Sequence, residues 1–333
     1  MQDNVHGLKS QSMLISVIVP VFNVGAFIER CAESLMRQTM EDVEYIFVND
    51  ATQDDSIEVL NSVLDRYPKR RDCVQVIAHS QNQGLPASRN DGMAVAQGEY
   101  IFHCDGDDYV EPDALESLYE CARANDLDIV WCDWYLDTKH GIRRMSQPCY
   151  HTPMEALKGI LGGAMKYNVW NKLVKKSLYV DNHIGFPVGY GMGEDMTIIM
   201  LFASAKSVAH LPIALYHYVK YNASSYCNTY SAAHISELRY NVSRVQTYLL
   251  ARFGESLRRD MDYFKLEVKF PFLISPEESS YAQWRALYPE SNKWAWSNKA
   301  ICLRRRILQW MAAKGQWWYV RSYYYILHRV GLA

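Results

Sequence analysis

Residues 14–20 read LISVIVP, an unbroken run of mostly β-branched residues that points to the class of fold. Such a run is typical of a parallel strand buried on both faces of its sheet, because both sets of alternating side chains are mostly apolar. Phe27, Cys31 and Leu35 then recur every four residues, which predicts an amphipathic helix that ends near Gln38. A buried strand followed at once by a helix is the opening of a strand-helix-strand unit.

The same alternation continues through the first half of the chain. Predicted strands cover residues 43–48, 74–78 and 100–103, and predicted helices begin at Asp54, Pro86 and Asp113. Alternating strands and helices form a mostly parallel sheet with helices on both faces, which binds its ligands at the carboxyl ends of the strands. We therefore expect an α/β fold, a Rossmann-like three-layer sandwich with a mostly parallel central sheet.

The second half of the chain is less regular. The pattern predicts a strand at 128–135, a strand or turn at 170–174, helices at 153–161 and 194–205, and mostly helix after residue 231. We place the domain boundary so that residues 1–225 form the α/β domain. Residues 226–333 then form a helical region rich in basic and aromatic residues.

Composition bounds the class of protein. The 333 residues are 49% hydrophobic and 22% charged with a formal net charge of −2, which is typical of a folded globular chain. The first 13 residues lack the order of a signal peptide, and no apolar run approaches the roughly 18 residues of a spanning helix, so we expect a cytosolic protein. The 8 cysteines include no CxxC pair, which favours reduced thiols over disulfides or a zinc site.

An acidic turn carries the strongest local signal. Residues 103–115 read HCDGDDYVEPDAL, so a predicted strand delivers Asp105, Asp107 and Asp108 into a tight turn. Like charges at this spacing raise one another's pKa unless a cation or a donor compensates them. Carboxylate oxygens suit Mn²⁺ or Mg²⁺. The alternative is an acidic turn that caps the helix beginning near Asp113.

Six motifs in order resemble the family 2 nucleotide-sugar glycosyltransferases of bacterial polysaccharide biosynthesis, which have the GT-A fold. The motifs span roughly the first 220 residues, and they are Pro20 with Phe22 and Asn23, Val48 to Asp50, Asn82 with Gly84, Arg89 and Asn90, the aspartate cluster, Trp170 to Leu173, and Gly193 to Asp195. The family usually shows Asp-Asp-Gly-Ser where this chain has Asn49, Asp50, Ala51 and Thr52. The departure keeps the key acid and changes its neighbours.

The resemblance implies a binding site for a nucleoside diphosphate sugar, with a uridine nucleotide favoured. Asp50 would bond the imide of a uracil-type base, Arg89 would lie beside the diphosphate, and Asp105 would hold the ribose. A surface ion pair is the alternative for Arg89. The implied donor-binding residues are Pro20, Phe22, Asn23, Asp50, Asn82, Gly84, Arg89, Asp105, Gly106 and Asp107. The implied metal ligands for Mn²⁺ or Mg²⁺ are Asp107, Asp105 and Asp108.

The resemblance also implies the reaction. Asp195 would be the base that takes the proton of an acceptor hydroxyl, and Glu194 would orient it, so that a hexosyltransferase-like enzyme transfers the sugar with inversion. The alternative for both acids is that they favour the positive end of the helix that begins there.

Two further predictions concern the acceptor and the metal. We assign Trp170, Asn171 and Lys172 to the acceptor, with Trp170 stacked on a sugar face, and core packing is the equal alternative for that ring. His217 is a candidate to complete the metal shell, although a structural histidine is more common.

The C-terminal tail is basic and aromatic. No Asp or Glu follows Glu290, whereas residues 294–333 interleave Trp and Tyr with Arg and Lys. This composition suits the headgroup layer of an anionic membrane, which predicts peripheral attachment to the cytoplasmic face of the membrane. There the enzyme would extend a glycan or lipid-linked glycan acceptor of a cell-surface polysaccharide such as a capsule. Nucleic acid and a solvated helical face are the alternatives, and we expect no nucleic-acid partner.

Two rival functions remain to be separated. A sugar nucleotidyltransferase would need a Gly-rich, Arg-containing loop directly after the first strand, and VPVFNVGAF is not such a loop. A non-catalytic module that binds nucleotide sugars or glycans is the rival from another class, and the presence of both Glu194 and Asp195 disfavours it.

Overall fold

A computed structural model of the chain describes residues 13–222 and 231–329. The strands are β1 (Ile15–Val21), β2 (Val43–Asn49), β3 (Val74–Ala78), β4 (Tyr100–His103), β5 (Tyr109–Val110), β6 (Ile129–Thr138), β7 (Gly141–Met145), β8 (Lys172–Lys175) and β9 (Val208–Val219). The helices up to residue 204 are α1 (Gly25–Met36), α2 (Ser56–Arg66), α3 (Pro68–Arg71), α4 (Leu85–Val95), α5 (Ala114–Ala124), α6 (Pro153–Leu161), α7 (Lys176–Asp181) and α8 (Thr197–Ser204). The later helices are α9 (Ala232–Phe253), α10 (Arg258–Val268), α11 (Glu278–Ala286), α12 (Leu303–Ala313) and α13 (Trp317–Arg329).

The strands of the described residues form one sheet. Their order is β3-β2-β1-β4-β8-β6-β9-β5, and β7 pairs with β6. The pairings of β1 with β2 and β4, and of β2 with β3, are parallel, as the strand and helix alternation predicts. The pairings of β8 with β4 and β6, and of β5 with β9, are antiparallel. The parallel half therefore directs the carboxyl ends of β1, β2 and β4 to one edge.

The start of the sheet is held by one buried carboxylate. Glu44 Oε1 accepts a hydrogen bond from Ser16 Oγ at 2.6 Å and from the amides of Gln97 and Gly98 at 2.5 and 3.1 Å. Gly98 N also donates to Ser16 Oγ at 2.8 Å. These bonds join the first residues of β1 and β2 to the turn that enters β4, so three strands begin in register.

Packing groups the described residues into two units. The first comprises residues 13–146, 169–191 and 211–222, and it contains nearly all of the sheet with α1 to α5 and α7. The second comprises residues 147–168, 192–210 and 231–329. Helices α6 and α8 thus belong to the same unit as the C-terminal helices. Each unit is built from several segments, which a single domain boundary in the sequence does not describe. The predicted boundary between residues 225 and 226 lies outside the described residues.

The second unit has its own apolar core. Buried residues from α10 to α13 and the turns between them form it: Leu266, Phe272, Leu273, Tyr281, Trp284, Leu287, Ala295, Leu308, Ala312 and Val320. Beside it, Lys269 Nζ donates to the carbonyls of Leu287 and Tyr288 at 2.8 and 3.0 Å. The Lys269 side chain thus satisfies the carbonyls of the C-cap residue of α11 and of the residue after it.

Two sequence predictions have structural outcomes here. Every cysteine within the described ranges is a free thiol, and Cys31 and Cys132 are buried. Across residues 13–222 and 231–329, none of the helices combines the length and the apolar character needed to cross a membrane. The prediction that the chain lacks a signal peptide concerns the first 13 residues, and residues 1–12 of these lie outside the described residues.

Gly98→Ala tests the close contact at the start of the sheet. A Cβ on Gly98 would lie 2.5 Å from Ser16 N and 2.6 Å from the Ile15 carbonyl carbon, and backbone atoms cannot rotate away. We expect the free energy of unfolding in urea to fall by about 1 to 3 kcal/mol. The neighbouring exposed Gln97→Ala is the control and should change it by less than about 0.5 kcal/mol. Equal values for the two variants would contradict this account.

Candidate active site

The loops that follow β1 and β2 are tied to each other. The Asn23 amide donates to Thr52 Oγ1 at 2.8 Å, and the Gly25 amide donates to Asp54 Oδ2 at 2.7 Å. Phe22 and Asn23 are exposed at the end of β1, and Asn23 has a φ of 54°. The two predicted nucleotide-pocket residues after β1 therefore stand at the sheet edge on a loop that the β2 loop holds in place.

The departure from the family pattern after β2 keeps this geometry. Ala51 has a φ of 54°, a left-handed conformation that glycine adopts at no steric cost and alanine at about 1 kcal/mol. Thr52 supplies the hydroxyl that a serine would supply, and it also donates to Asp54 Oδ1 at 2.7 Å. Ala51 thus carries mild backbone strain, and the Thr52 hydroxyl joins the loops that follow β1 and β2.

Three hydrogen-bond partners hold the buried carboxylate of Asp50. The residue is 3% exposed. Its Oδ1 accepts from the Gln83 amide at 2.7 Å and lies 2.7 Å from His79 Nδ1, and its Oδ2 accepts from the Gly84 amide at 2.8 Å. Gly84 has a φ of 87° and precedes α4, whereas Asn82 is exposed in the loop before it. Two of the residues predicted to bind the nucleotide sugar, Asp50 and Gly84, are therefore hydrogen-bonded to each other.

The buried Arg89 forms an ion pair with the partly exposed Asp105. Arg89 Nη2 lies 2.9 Å from Asp105 Oδ1, and the arginine side chain is 1% exposed. Its guanidinium also lies over the Phe186 ring, 5.6 Å from the centroid. The alternative of a surface ion pair is therefore excluded by burial, and a contact of Arg89 with a diphosphate stays a prediction.

Gly106 lets the acidic turn approach the end of β1. A Cβ on Gly106 would lie 2.9 Å from the Pro20 carbonyl oxygen and 3.2 Å from Val24 Cγ2. A side chain at this position would push the turn away from β1. Asp105 and Asp107, on either side of Gly106, are thereby kept at the carboxyl end of the parallel strands.

Asp107 and Asp108 differ in their surroundings. Asp108 is buried, and it accepts from Tyr216 Oη and from the Val219 amide, both at 2.7 Å. Asp107 is partly exposed and accepts from Asn222 Nδ2 at 2.8 Å. Burial, with the charges of Asp107 and Asp105, raises the pKa of the Asp108 carboxyl. Asp108 thus anchors the end of β9 to the turn, and its bonds point to a structural role.

The pair Asp105 and Asp107 fits a divalent cation. Burial, and after it the charge of Asp105, raises the pKa of the Asp107 carboxyl, so negative charge is poorly compensated at this turn. No group of three or more His, Cys, Asp or Glu side chains in the described ranges forms a metal-ligand set. Mg²⁺ and similar ions commonly take one or two carboxylates and complete their shell with phosphate oxygens and water. The metal site therefore stays a prediction, and the carboxylates of Asp105 and Asp107 are chemically suitable ligands for it.

The three residues assigned to the acceptor are buried. Trp170 stacks on Tyr216 and Tyr218 at centroid distances of 4.5 and 5.4 Å and is 6% exposed. Asn171 Nδ2 donates to the Cys132 carbonyl at 2.6 Å, and Lys172 Nζ donates to Asn171 Oδ1 at 2.8 Å. The burial and ring stacking of Trp170 match the alternative of core packing. An acceptor role for these residues stays a prediction.

Glu194 and Asp195 belong to the second unit. They form a 3₁₀ turn, Glu194–Met196, that leads into α8, in place of the first turn of the predicted helix. The preceding loop is held by α9, since Met192 N donates to Glu237 Oε2 at 2.8 Å and Asn241 Nδ2 donates to the Met192 carbonyl at 3.0 Å. The backbone just before the two acids is therefore fixed at Met192, and their catalytic role stays a prediction.

His217 has structural partners. Its ring lies between Tyr109 and Tyr135, with centroids at 4.1 and 4.6 Å, and its Nε2 lies 2.8 Å from Glu111 Oε1. These contacts match the alternative of a structural histidine, and the Nδ1 atom is buried without a hydrogen-bond partner among the described residues.

Sequence reasoning missed two residues of the site. His79 follows β3 directly and contacts Asp50, and Asn222 follows β9 and contacts Asp107. His79 directly follows the predicted strand at residues 74–78. Polar residues at the carboxyl ends of parallel strands are candidates for ligand binding, and this argument, which selected Asp50, also applies to His79. The short span after β9 offered no such signal, because residues 208–219 alternate weakly and were not predicted as a strand.

Three comparisons place the chain among known proteins. The uncharacterized glycosyltransferase EpsJ of Bacillus subtilis (strain 168) is 36% identical over 216 residues, which is 62% of this chain and 60% of EpsJ. The chain therefore spans about 60% of the length of that relative. The cholesterol galactosyltransferase of Borreliella burgdorferi is 30% identical over 300 residues, which is 85% of this chain and 79% of that protein.

A solved structure confirms the fold. The crystal structure of S. aureus TarS 1–349 in complex with UDP-GlcNAc superposes with a TM-score of 0.68 at 19% identity, over 96% of this chain and 92% of that chain. The predicted GT-A fold with a helical C-terminal region is therefore confirmed.

The family follows from the sequence profile. The profile of Glycosyl transferase family 2 matches residues 16–191, more than half of the chain, and this range contains the motifs from β1 to the aspartate cluster and the Trp170 segment. The chain belongs to glycosyl transferase family 2.

Proposed function

We propose that this protein is a metal-dependent, inverting glycosyltransferase that moves a sugar from a nucleoside diphosphate donor to an acceptor hydroxyl. The observation that carries the proposal is the acidic turn after β4. There Asp105 pairs with the buried Arg89, and Asp107 presents a poorly compensated carboxylate at the carboxyl end of the parallel strands. Ligands of such sheets bind at this edge.

The donor is proposed to be a UDP-sugar. Family membership supports a nucleotide sugar, and the TarS structure, which shares the fold, contains UDP-GlcNAc. Asp50, at the end of β2, is the acid that the family pattern assigns to the imide of the base. Asp105 would hold the ribose, and Arg89 would lie beside the diphosphate, where a guanidinium suits bidentate contact with phosphate oxygens.

Asp107 and Asp105 are the residues proposed to hold Mn²⁺ or Mg²⁺. A cation bound there would screen the negative charge that grows on the departing diphosphate. Asn222 Nδ2 keeps one oxygen of Asp107 oriented. Asp108, with both oxygens bonded inside the protein, supports the turn and is proposed to contact no ligand.

Asp195 is proposed as the general base. It would accept the proton of the acceptor hydroxyl while the acceptor oxygen forms a bond to the anomeric carbon and the bond from that carbon to the diphosphate oxygen breaks. The departing diphosphate keeps the electron pair, and one displacement inverts the configuration at the anomeric carbon. Glu194 would orient this base, and the backbone at Met192 holds the turn that carries both acids.

The acceptor is proposed to be a glycan or lipid-linked glycan of a cell-surface polysaccharide. EpsJ supports a glycosyltransferase of bacterial origin. The name of the Borreliella burgdorferi relative states cholesterol as its acceptor, which is a membrane lipid, so the family accommodates acceptors that reside in membranes.

The C-terminal helices support a peripheral contact with an anionic membrane. On α13, Trp318 and Tyr325 are 64% and 54% exposed and lie seven residues apart on one helix face, and Ile326 beside them is also exposed. Trp296 and Trp310 are exposed and lie 5.7 Å apart between ring centroids. Exposed aromatic residues beside arginines favour the headgroup layer, and Arg321 of α13 is at the same time ion-paired with Glu278. Residues 330–333 of the predicted membrane segment lie outside the described residues.

Asp195→Asn tests the proposed chemistry. The variant should bind UDP as the wild type does and lose transfer by about 100-fold or more, because the amide cannot accept the hydroxyl proton. Calorimetry measures the affinity for UDP, and the release of UDP from UDP-sugars with a glycan acceptor measures transfer. The control Asp181→Asn changes an exposed carboxylate at the end of α7 and should retain full transfer. Full transfer by Asp195→Asn would overturn the assignment of the base.

A vesicle experiment tests the membrane contact. The full chain should sediment with vesicles of anionic lipid and less with zwitterionic vesicles, because each basic residue near an anionic surface contributes about 1 kcal/mol. The double variant Trp318→Ser, Tyr325→Ser should reduce binding to the anionic vesicles severalfold. The control Ile142→Ser removes an exposed apolar side chain of β7 and should bind as the wild type does. Equal sedimentation of the double variant and the wild type would exclude this surface.

A further inference from the structure

His79 lies between two carboxylates at the end of β3. Its Nδ1 is 2.7 Å from Asp50 Oδ1, and its Nε2 is 2.9 Å from Asp91 Oδ2. The histidine and Asp50 side chains are 5% and 4% exposed, whereas the Asp91 side chain on α4 is 49% exposed. Both ring nitrogens therefore face anionic oxygens at hydrogen-bond distance, and an imidazole donates from both nitrogens when it is protonated.

The acceptor positions of Asp50 can be counted. An ionised carboxylate offers about four lone-pair positions, two on each oxygen. On Oδ1, the Gln83 amide and His79 fill both, and on Oδ2 the Gly84 amide fills one. Within the described residues, one position remains on Asp50, and it is on Oδ2.

The one free acceptor position on Asp50 Oδ2 favours a base that offers a single hydrogen-bond donor over a base that offers two. The imide of uracil presents one N–H group between two carbonyl oxygens, and one lone pair satisfies it. Guanine presents two adjacent donors, N1–H and the N2 amino group, which need two acceptor oxygens on the same side. With Oδ1 filled, the second donor of guanine would be left without a hydrogen bond, and leaving a donor unsatisfied away from water weakens binding.

We propose that His79, held by Asp91, is a positioning residue that fixes Asp50 so that only Oδ2 accepts from the base, and that this arrangement sets a preference for uridine over guanosine diphosphates. The inference rests on the proposed function, because it requires that Asp50 faces the base of the donor. His79 itself contacts no base. It acts by occupying Oδ1 and by preventing rotation of the carboxylate, together with the amides of Gln83 and Gly84.

The test measures the affinities of UDP and GDP for the full chain by calorimetry with Mn²⁺ present. For the wild type, UDP should bind at least about tenfold more tightly than GDP. His79→Leu removes the donor to Oδ1, so Asp50 is no longer fixed and we expect the UDP affinity to fall about tenfold. For GDP the same loss is offset by the acceptor position freed on Oδ1, so we expect its affinity to change by less than about twofold. The ratio of the two affinities thus falls toward one.

The partner of His79 supplies matched variants at a half-exposed site. Asp91→Asn retains an oxygen that accepts from Nε2 and should keep the wild-type ratio, whereas Asp91→Leu removes this acceptor and should lower the ratio. These variants test the contacts from Asp91 through His79 to Asp50, and they do so even if His79→Leu does not fold.

Each outcome decides the inference. An equal loss of both affinities would show that His79 acts only on the general stability of the site, and unchanged affinities would show that it does not position Asp50; both overturn the inference and leave the proposed function intact. A wild type that binds neither diphosphate would overturn the proposed function, and the inference with it.

Discussion

The close spacing of three aspartates in one turn is the constraint on which the site depends. Asp105, Asp107 and Asp108 lie within four residues, and each has its own partner: Arg89, Asn222, and the pair of Tyr216 and Val219. Without these contacts the like charges would favour protonation or a different turn. The partners come from α4 and from the end of β9, so the turn holds together elements that are distant in the chain.

The rest of the sheet edge follows from that turn. Gly106 allows the turn to lie against the Pro20 carbonyl, which brings the carboxyl end of β4 beside that of β1. The buried Glu44 joins the opposite ends of the same strands, so the parallel strands are fixed at both ends. Asp50 then stands at the end of β2 with its orientation set by His79 and two amides. A rigid scaffold of this kind suits the placement of a charged, multipart ligand.

Much of this architecture could be predicted from local patterns. The run at residues 14–20 and the helix spacing after it gave the parallel half of the sheet, because buried parallel strands and amphipathic helices have distinct periods. The contact of Gly106 with Pro20 and the bonds of Asp108 could not be predicted, since they depend on which residues meet across the fold. The burial of Trp170 has the same origin: its stack with Tyr216 and Tyr218 requires β9, a strand that the weak alternation of residues 208–219 does not reveal.

The affinity of UDP with Mn²⁺, and again after chelation with EDTA, tests the central claim most directly when wild type is compared with Asp107→Asn. The account predicts that chelation weakens binding to the wild type at least about tenfold, because a cation held by Asp107 would add a charge-assisted attraction for the diphosphate. Asp107→Asn should bind UDP weakly with and without Mn²⁺, and the exposed Asp72→Asn should behave as the wild type does. Equal UDP affinity of the wild type with and without the metal would contradict the claim of a metal-dependent donor site at this turn.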